Sequence, residues 1–98
     1  IMENLDRPWT VHDLCTKLHV SERTLRYGFQ ESFGMSPMAY LKIQRLNEVR
    51  RQLKASVANQ TTVTAVAIRW GFWHMGQFAK DYKKMFAESP SETLRKSS

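Results

Sequence analysis

Arg23, Arg26, Tyr27 and Gln30 follow Glu22 in the stretch VSERTLRYGFQESF, and all five stand off the positions of Leu25, Phe29 and Phe33, which recur every four residues. On a helix that spacing makes a buried stripe and leaves the polar set exposed. The chemistry open to such a face is hydrogen bonding to base-pair edges, since a guanidinium can form two bonds to guanine O6 and N7. Either arginine is therefore a candidate reader of sequence. A second exposed set, Trp73, His74, Met75, Gly76, Gln77 and Lys80, lies in WHMGQFAK. There Gln77 can pair with adenine and Met75 can meet a thymine methyl. Gly76 gives up ~1 kcal/mol of helix stability relative to Ala, a reason to expect close approach of its backbone to something. Trp73, at the entry of this helix, is expected to pack on a phosphate, a sugar or a neighbouring helix.

Two copies of one supersecondary unit must position these side chains. Thr10, Val11, Leu14, Leu18 and Val20 match Thr62, Val63, Val66, Trp70 and Phe72, each 52 residues on. After one inserted residue, Leu25, Phe29, Phe33, Ser36, Pro37 and Leu41 match Phe78, Tyr82, Phe86, Ser89, Pro90 and Leu94, each 53 on. Such internal repetition is read before any local feature, because it decides the architecture. In the first copy Thr10, with Asp13 three residues on, starts a short helix from about Val11 to Leu18, and Trp9 and Leu14 are placed to form a hydrophobic staple. His19 and Val20 turn the chain, Ser21 caps a second helix, and Gly34 stops it. The second copy predicts helices from about Val63 to Trp70 and from about His74 to Phe86. Short helix, tight turn and longer helix form a helix-turn-helix.

Between the copies, Ser36 to Leu53 (SPMAYLKIQRLNEVRRQL) reads as one uninterrupted helix with Ala39, Ile43, Leu46 and Leu53 inward. At 1.5 Å per residue it spans roughly 27 Å, close to the ~34 Å between successive major grooves on one side of DNA. Ala55 to Thr61 is the one loop-like linker, and Ser89-Pro90-Ser91-Glu92 opens a closing helix to about Lys96. With Ile1 to Asp6 as part of a first helix, the expectation is an all-α fold of about seven helices. Its parts are unit 1 at about 10–35, a linker helix at about 37–54, unit 2 at about 62–87 and the closing helix at about 90–96.

The net charge of +6 is unevenly placed. Residues 1–31 carry four basic against five acidic side chains, residues 42–54 five against one, and residues 69–84 four against one. A basic excess concentrated in this way suits a polyanion. Lys83, Lys84, Arg69 and the basic residues of the middle helix, Arg50 and Arg51 among them, are better partners for phosphates than for bases. Glu22, Gln30, His74 and Trp73 are placed with them at the backbone, and the helix starts at Thr10, Ser36, Thr62 and Ser89 have backbone N–H groups to offer phosphates.

Other chemistry is not supported. His12, His19 and His74 lie seven and fifty-five residues apart, and Cys15 is near the first two alone. That spacing makes no zinc pattern. There is no glycine-rich phosphate loop and no nucleophile with a His and acid partner. No catalytic residue, metal or cofactor is expected. One cysteine forms no internal disulfide, which favours a reduced cytoplasm. No run nears the ~18 apolar residues that would cross a bilayer. The start at Ile1, within an apparent helical pattern, reads as a cut from something longer.

Two helix-turn-helix units joined by one helix resemble the DNA-binding domain of the AraC/XylS family of bacterial transcription regulators. The resemblance covers essentially the whole chain. It is carried by VSERTLRYGFQESFGMSPMAYL and by Arg45-Leu46 through VAIRWGF to FAKDYKKMFAESP, with its Gly-Phe pair, the aromatics at 78, 82 and 86 and the final Ser-Pro. Within the family, WGFWHMGQFA and RLNEVRRQL look most like the ethanolamine-utilisation type. Ala87 departs from the pattern, where Gly commonly follows the Phe, and implies a less sharp helix end. The resemblance assigns Arg23, Arg26 and Tyr27 to base-contacting positions. It also implies double-stranded DNA and RNA polymerase as partners, activation more often than repression, and an effector bound by a missing domain. The rival readings are a helical protein-interaction module and an accessory domain of a DNA-repair enzyme.

Overall fold

Most of the helices begin where a short polar side chain can take up amide groups that the first turn leaves unpaired. A computed structural model describes residues 8–57 and 60–97. Six helices occur among them: α1 (Val11–Leu18), α2 (Glu22–Phe33), α3 (Pro37–Ala55), α4 (Val63–Arg69), α5 (Met75–Phe86) and α6 (Pro90–Lys96). The architecture is all-α, as expected, and the helix foreseen at Ile1 to Asp6 lies outside the described residues.

Thr10 Oγ1 accepts from Asp13 N at 3.1 Å while Asp13 Oδ2 accepts from Thr10 N at 2.9 Å, a reciprocal cap on α1. Ser89 and Glu92 repeat that exchange at α6. Ser21, Ser36 and Thr62 accept from the amides of Thr24, Ala39 and Ala65 at the starts of α2, α3 and α4. Each such cap is worth ~1 kcal/mol. His74, at the start of α5, makes no side-chain cap bond.

The chain divides into two compact units, residues 1–44 and 45–98. The first is built on buried Leu14, Leu25 and Leu41, with Trp9, Val11, Cys15, Val20, Phe29 and Tyr40 packed around them. Trp9 and Leu14 thus share one cluster, as a staple requires. The rings of Phe29, Phe33 and Tyr40 lie 5.1 to 5.4 Å apart.

The second unit has the larger core: Leu46, Val49, Leu53, Val66, Ala67, Trp70, Phe78, Tyr82 and Leu94, with Phe72 and Phe86 against it. Phe72 fills the corner between α4 and α5, its ring centre 5.0 Å from that of Phe78. Two polar groups in this core are satisfied within it. Trp70 Nε1 donates to Gln52 Oε1 at 2.9 Å, and the Tyr82 hydroxyl donates to Thr93 Oγ1 at 2.7 Å. Burial is the main reason that the Tyr82 pKa lies above its ordinary value.

Three expectations are corrected. Phe33, expected on the buried stripe of α2, is 54% exposed although its counterpart Phe86 is half-buried, just as Leu18 is 51% exposed where its counterpart Trp70 is buried. Ala39 faces solvent, and Pro37 and Leu41 are the buried residues of that turn. Third, α5 ends as sharply as α2 despite Ala87, which takes the left-handed conformation with φ 61 and donates its N–H to the Lys83 carbonyl. That bond holds an alanine where a glycine would carry no Cβ penalty.

Candidate nucleic-acid interface

Leu25 anchors α2 into the core of the first unit, and the opposite side of the helix is left to water. Arg23, Arg26, Tyr27 and Gln30 are all exposed there, and with Thr24 they line an open depression of about 540 Å³. Tyr27 is 70% exposed, unusual for a ring of that size. Arg26 Nη2 donates to Glu22 Oε1 at 3.1 Å along one helical turn. Glu22, expected at the DNA backbone, therefore has a cation for its partner, and an ionised carboxylate has no proton to give a phosphate. Thr24 has no counterpart among the expected site residues, and its amide and hydroxyl engage the Ser21 cap.

In the second unit α5 is fixed by Phe78 and Tyr82, both buried. Trp73, His74, Gly76, Gln77 and Lys80 are exposed, Trp73 to 71%. A side chain added at Gly76 would meet nothing within 4 Å, so the fold of the chain does not itself require glycine there. Gln77 Nε2 donates to Asp81 Oδ1 at 3.0 Å, leaving its carbonyl oxygen and one N–H for another partner. Met75 is half-buried against the core, which limits its reach toward a thymine methyl.

The cations divide into engaged and exposed groups. Arg50 Nη1 lies 3.4 Å from Glu88 Oε2 and its guanidinium 4.8 Å from the centre of the Phe86 ring. Arg51 is bonded to Glu48. Arg45 is half-buried, and desolvation lowers its pKa. Lys80, Lys83 and Lys84 on α5 and Arg69 on α4 are exposed. Glu88 also accepts from Lys96 Nζ at 2.8 Å and from Thr93, and these bonds hold its carboxyl at a pKa of about 2. Such pairing over 38 residues of chain between Arg50 and Glu88 leaves no local sequence signal.

At the proposed phosphate-binding helix starts, the Thr10, Ser36, Thr62 and Ser89 side chains already accept one amide each. Among the described residues no helix is long and apolar enough to cross a membrane, and no group of three or more His, Cys, Asp or Glu could hold a metal ion.

The family model described as a helix-turn-helix domain matches residues 14–96. The chain is 45% identical over 89 residues to a probable thc operon regulatory protein of Rhodococcus erythropolis, covering 91% of this chain and 27% of that one. It is 36% identical over 95 residues to the XylDLEGF operon transcriptional activator of Pseudomonas putida, covering 97% of this chain and 30% of the relative. A crystal structure of a probable AraC family transcriptional regulator from Rhodopseudomonas palustris superimposes with a TM-score of 0.79 at 43% identity, covering 96% of this chain and 86% of that one. The chain belongs to the AraC/XylS family of transcription regulators.

The AraC/XylS family is not an enzyme class. This AraC/XylS-type chain spans less than a third of the length of the two curated relatives named above. Neither of them is named as an ethanolamine-utilisation regulator. The ends of α2 and α5 distinguish this AraC/XylS domain in its own repeat, one closed by Gly34 and the other by Ala87.

Proposed function

We propose that this AraC/XylS domain binds double-stranded DNA sequence-specifically, as the output domain of a bacterial transcription regulator acting in the cytoplasm. Two helix-turn-helix units, at about 10–35 and 62–87, carry the reading. The observation that carries this is the exposed face of α2, where two arginines, a tyrosine and a glutamine line one open depression on a helix anchored by Leu25. An α-helix fits the major groove, and residues in its first turns reach base edges. Arg23, Arg26 and Tyr27 read bases in the first unit, and Gly76, Gln77 and Lys80 in the second. Lys83 and Lys84 take phosphates, with Trp73 and His74 at the groove edge and Gln30 beside it.

Arg50 and Arg51 reach phosphates only by leaving or sharing Glu88 and Glu48. The relative named as an operon transcriptional activator supports transcriptional activation. Contact to RNA polymerase and an effector bound by another part of the regulator belong to the same proposal.

The test is a gel-shift series on duplex selected by the protein from random sequence, run at rising salt. Affinity is expected to fall linearly with salt on logarithmic axes, as counterions return to the phosphates. Duplex binding without salt dependence, or no binding, would contradict the reading and favour a helical platform for a protein partner.

A further inference from the structure

Resting on the DNA-reading role of α2, a second feature of that helix concerns which sequences it refuses. Glu22 is the first residue of α2, in the turn that enters a groove first, and its side chain is 67% exposed. A carboxylate there meets phosphates and the acceptor-rich edges of bases, and like charges near 4 Å repel even in water. An exposed ion pair four residues apart on a helix contributes little to stability. Arg26 therefore exchanges Glu22 for a better acceptor easily. Guanine, with O6 and N7, is such an acceptor.

When Arg26 leaves, the Glu22 carboxylate loses its donor at the same moment. The major-groove group that replaces that donor is an exocyclic amine, adenine N6 or cytosine N4, and cytosine N4 suits a carboxylate better because adenine sets the acceptor N7 beside its amine. We propose that Glu22 is a specificity-determining residue of the first unit. It holds Arg26 when no matching base is present and accepts from cytosine N4 when Arg26 moves to guanine. Thymine, presenting O4 and a methyl, gives the freed carboxylate nothing and is rejected. The acid beside Arg23 and Arg26 thus lowers affinity for all duplex and restores it at one matched position.

Glu22→Gln keeps the shape and removes the charge, while Glu22→Asp keeps the charge. Sites are selected from random duplex by the 98-residue chain and by both variants, and Kd is measured on the wild-type site, on that site with the cytosine changed to thymine, and on random duplex. Glu22→Gln is expected to bind random duplex about threefold to tenfold more tightly, and to lose about fivefold or more of the cytosine-over-thymine preference. Glu22→Asp, which keeps the charge, is expected to show none of the tighter random-duplex binding of Glu22→Gln, and equal tightening by both variants would overturn the proposal. The proposal is overturned if Glu22→Gln keeps every base preference, or if it weakens specific and random binding alike, as a mere loss of helix stability would do. A wild-type chain with no base preference would instead overturn the DNA-reading function, and this proposal with it.

Discussion

Ala87 and Gly34 close α5 and α2 in one conformation, φ 61 and ψ 21 against φ 69 and ψ 21. Each donates its N–H to the carbonyl four residues back, Lys83 and Gln30 respectively. The difference is a methyl group, and in the left-handed region that Cβ costs roughly 1 to 2 kcal/mol, partly offset by the greater freedom glycine has when unfolded. Ala87→Gly is expected to stabilise the chain by about 0.5 to 1 kcal/mol in urea denaturation. Gly34→Ala is expected to cost a similar amount, and since its new Cβ would meet nothing within 4 Å, the cost is conformational alone.

Trp70 and Leu18 occupy matched positions in the repeat but not matched surroundings, at 4% and 51% exposed. Trp70→Ala is expected to destabilise by about 3 to 5 kcal/mol, since it removes a buried ring and leaves Gln52 without its indole donor. Leu18→Ala should cost less than about 1 kcal/mol, because little of that side chain leaves water on folding. Equal losses would mean that both units bury their first helices to the same depth.

Helix starts are legible along the chain because Thr10, Ser21, Ser36, Thr62 and Ser89 act on amides within three residues of themselves. The buried aromatics of the second unit are legible from their four-residue spacing. Burial of Leu18 and Phe33 does not carry over from Trp70 and Phe86, because a repeat keeps spacing without keeping how much core surrounds each copy. The left-handed turn at Ala87 lies two residues before the Ser-Pro start of α6, and alanine alone gives no sign of it. The short reach of Met75 and Arg50 is hidden in the sequence because their partners, the second-unit core and Glu88, come from distant positions.

Glu88 gives the chain an acid limb. Its carboxyl pKa is lowered from 4.5 to about 2, through bonds from Lys96 and Thr93 first and the charges of Lys96 and Arg50 after them. A folded-state pKa below the unfolded one contributes stability that is fully present above pH 4.5 and is lost as pH falls toward 2. Glu88→Gln is expected to be less stable than wild type at neutral pH, with the difference shrinking across that window. A constant difference down to the bottom of the window would show that the bonds do not depend on ionisation.

Lys84, exposed in the last turn of α5, should serve every duplex alike. Lys84→Ala is expected to weaken selected and random duplexes by the same factor and to reduce the salt slope by about one.

Base reading by α2 is probed by Arg23→Ala through the ratio of Kd on random duplex to Kd on the selected site at one fixed salt concentration. The variant is expected to lose about 1 to 3 kcal/mol on the selected site and to relax preference at one position, so that the ratio falls about tenfold or more. An unchanged ratio, with both affinities lowered equally, would place Arg23 at the backbone and contradict the account.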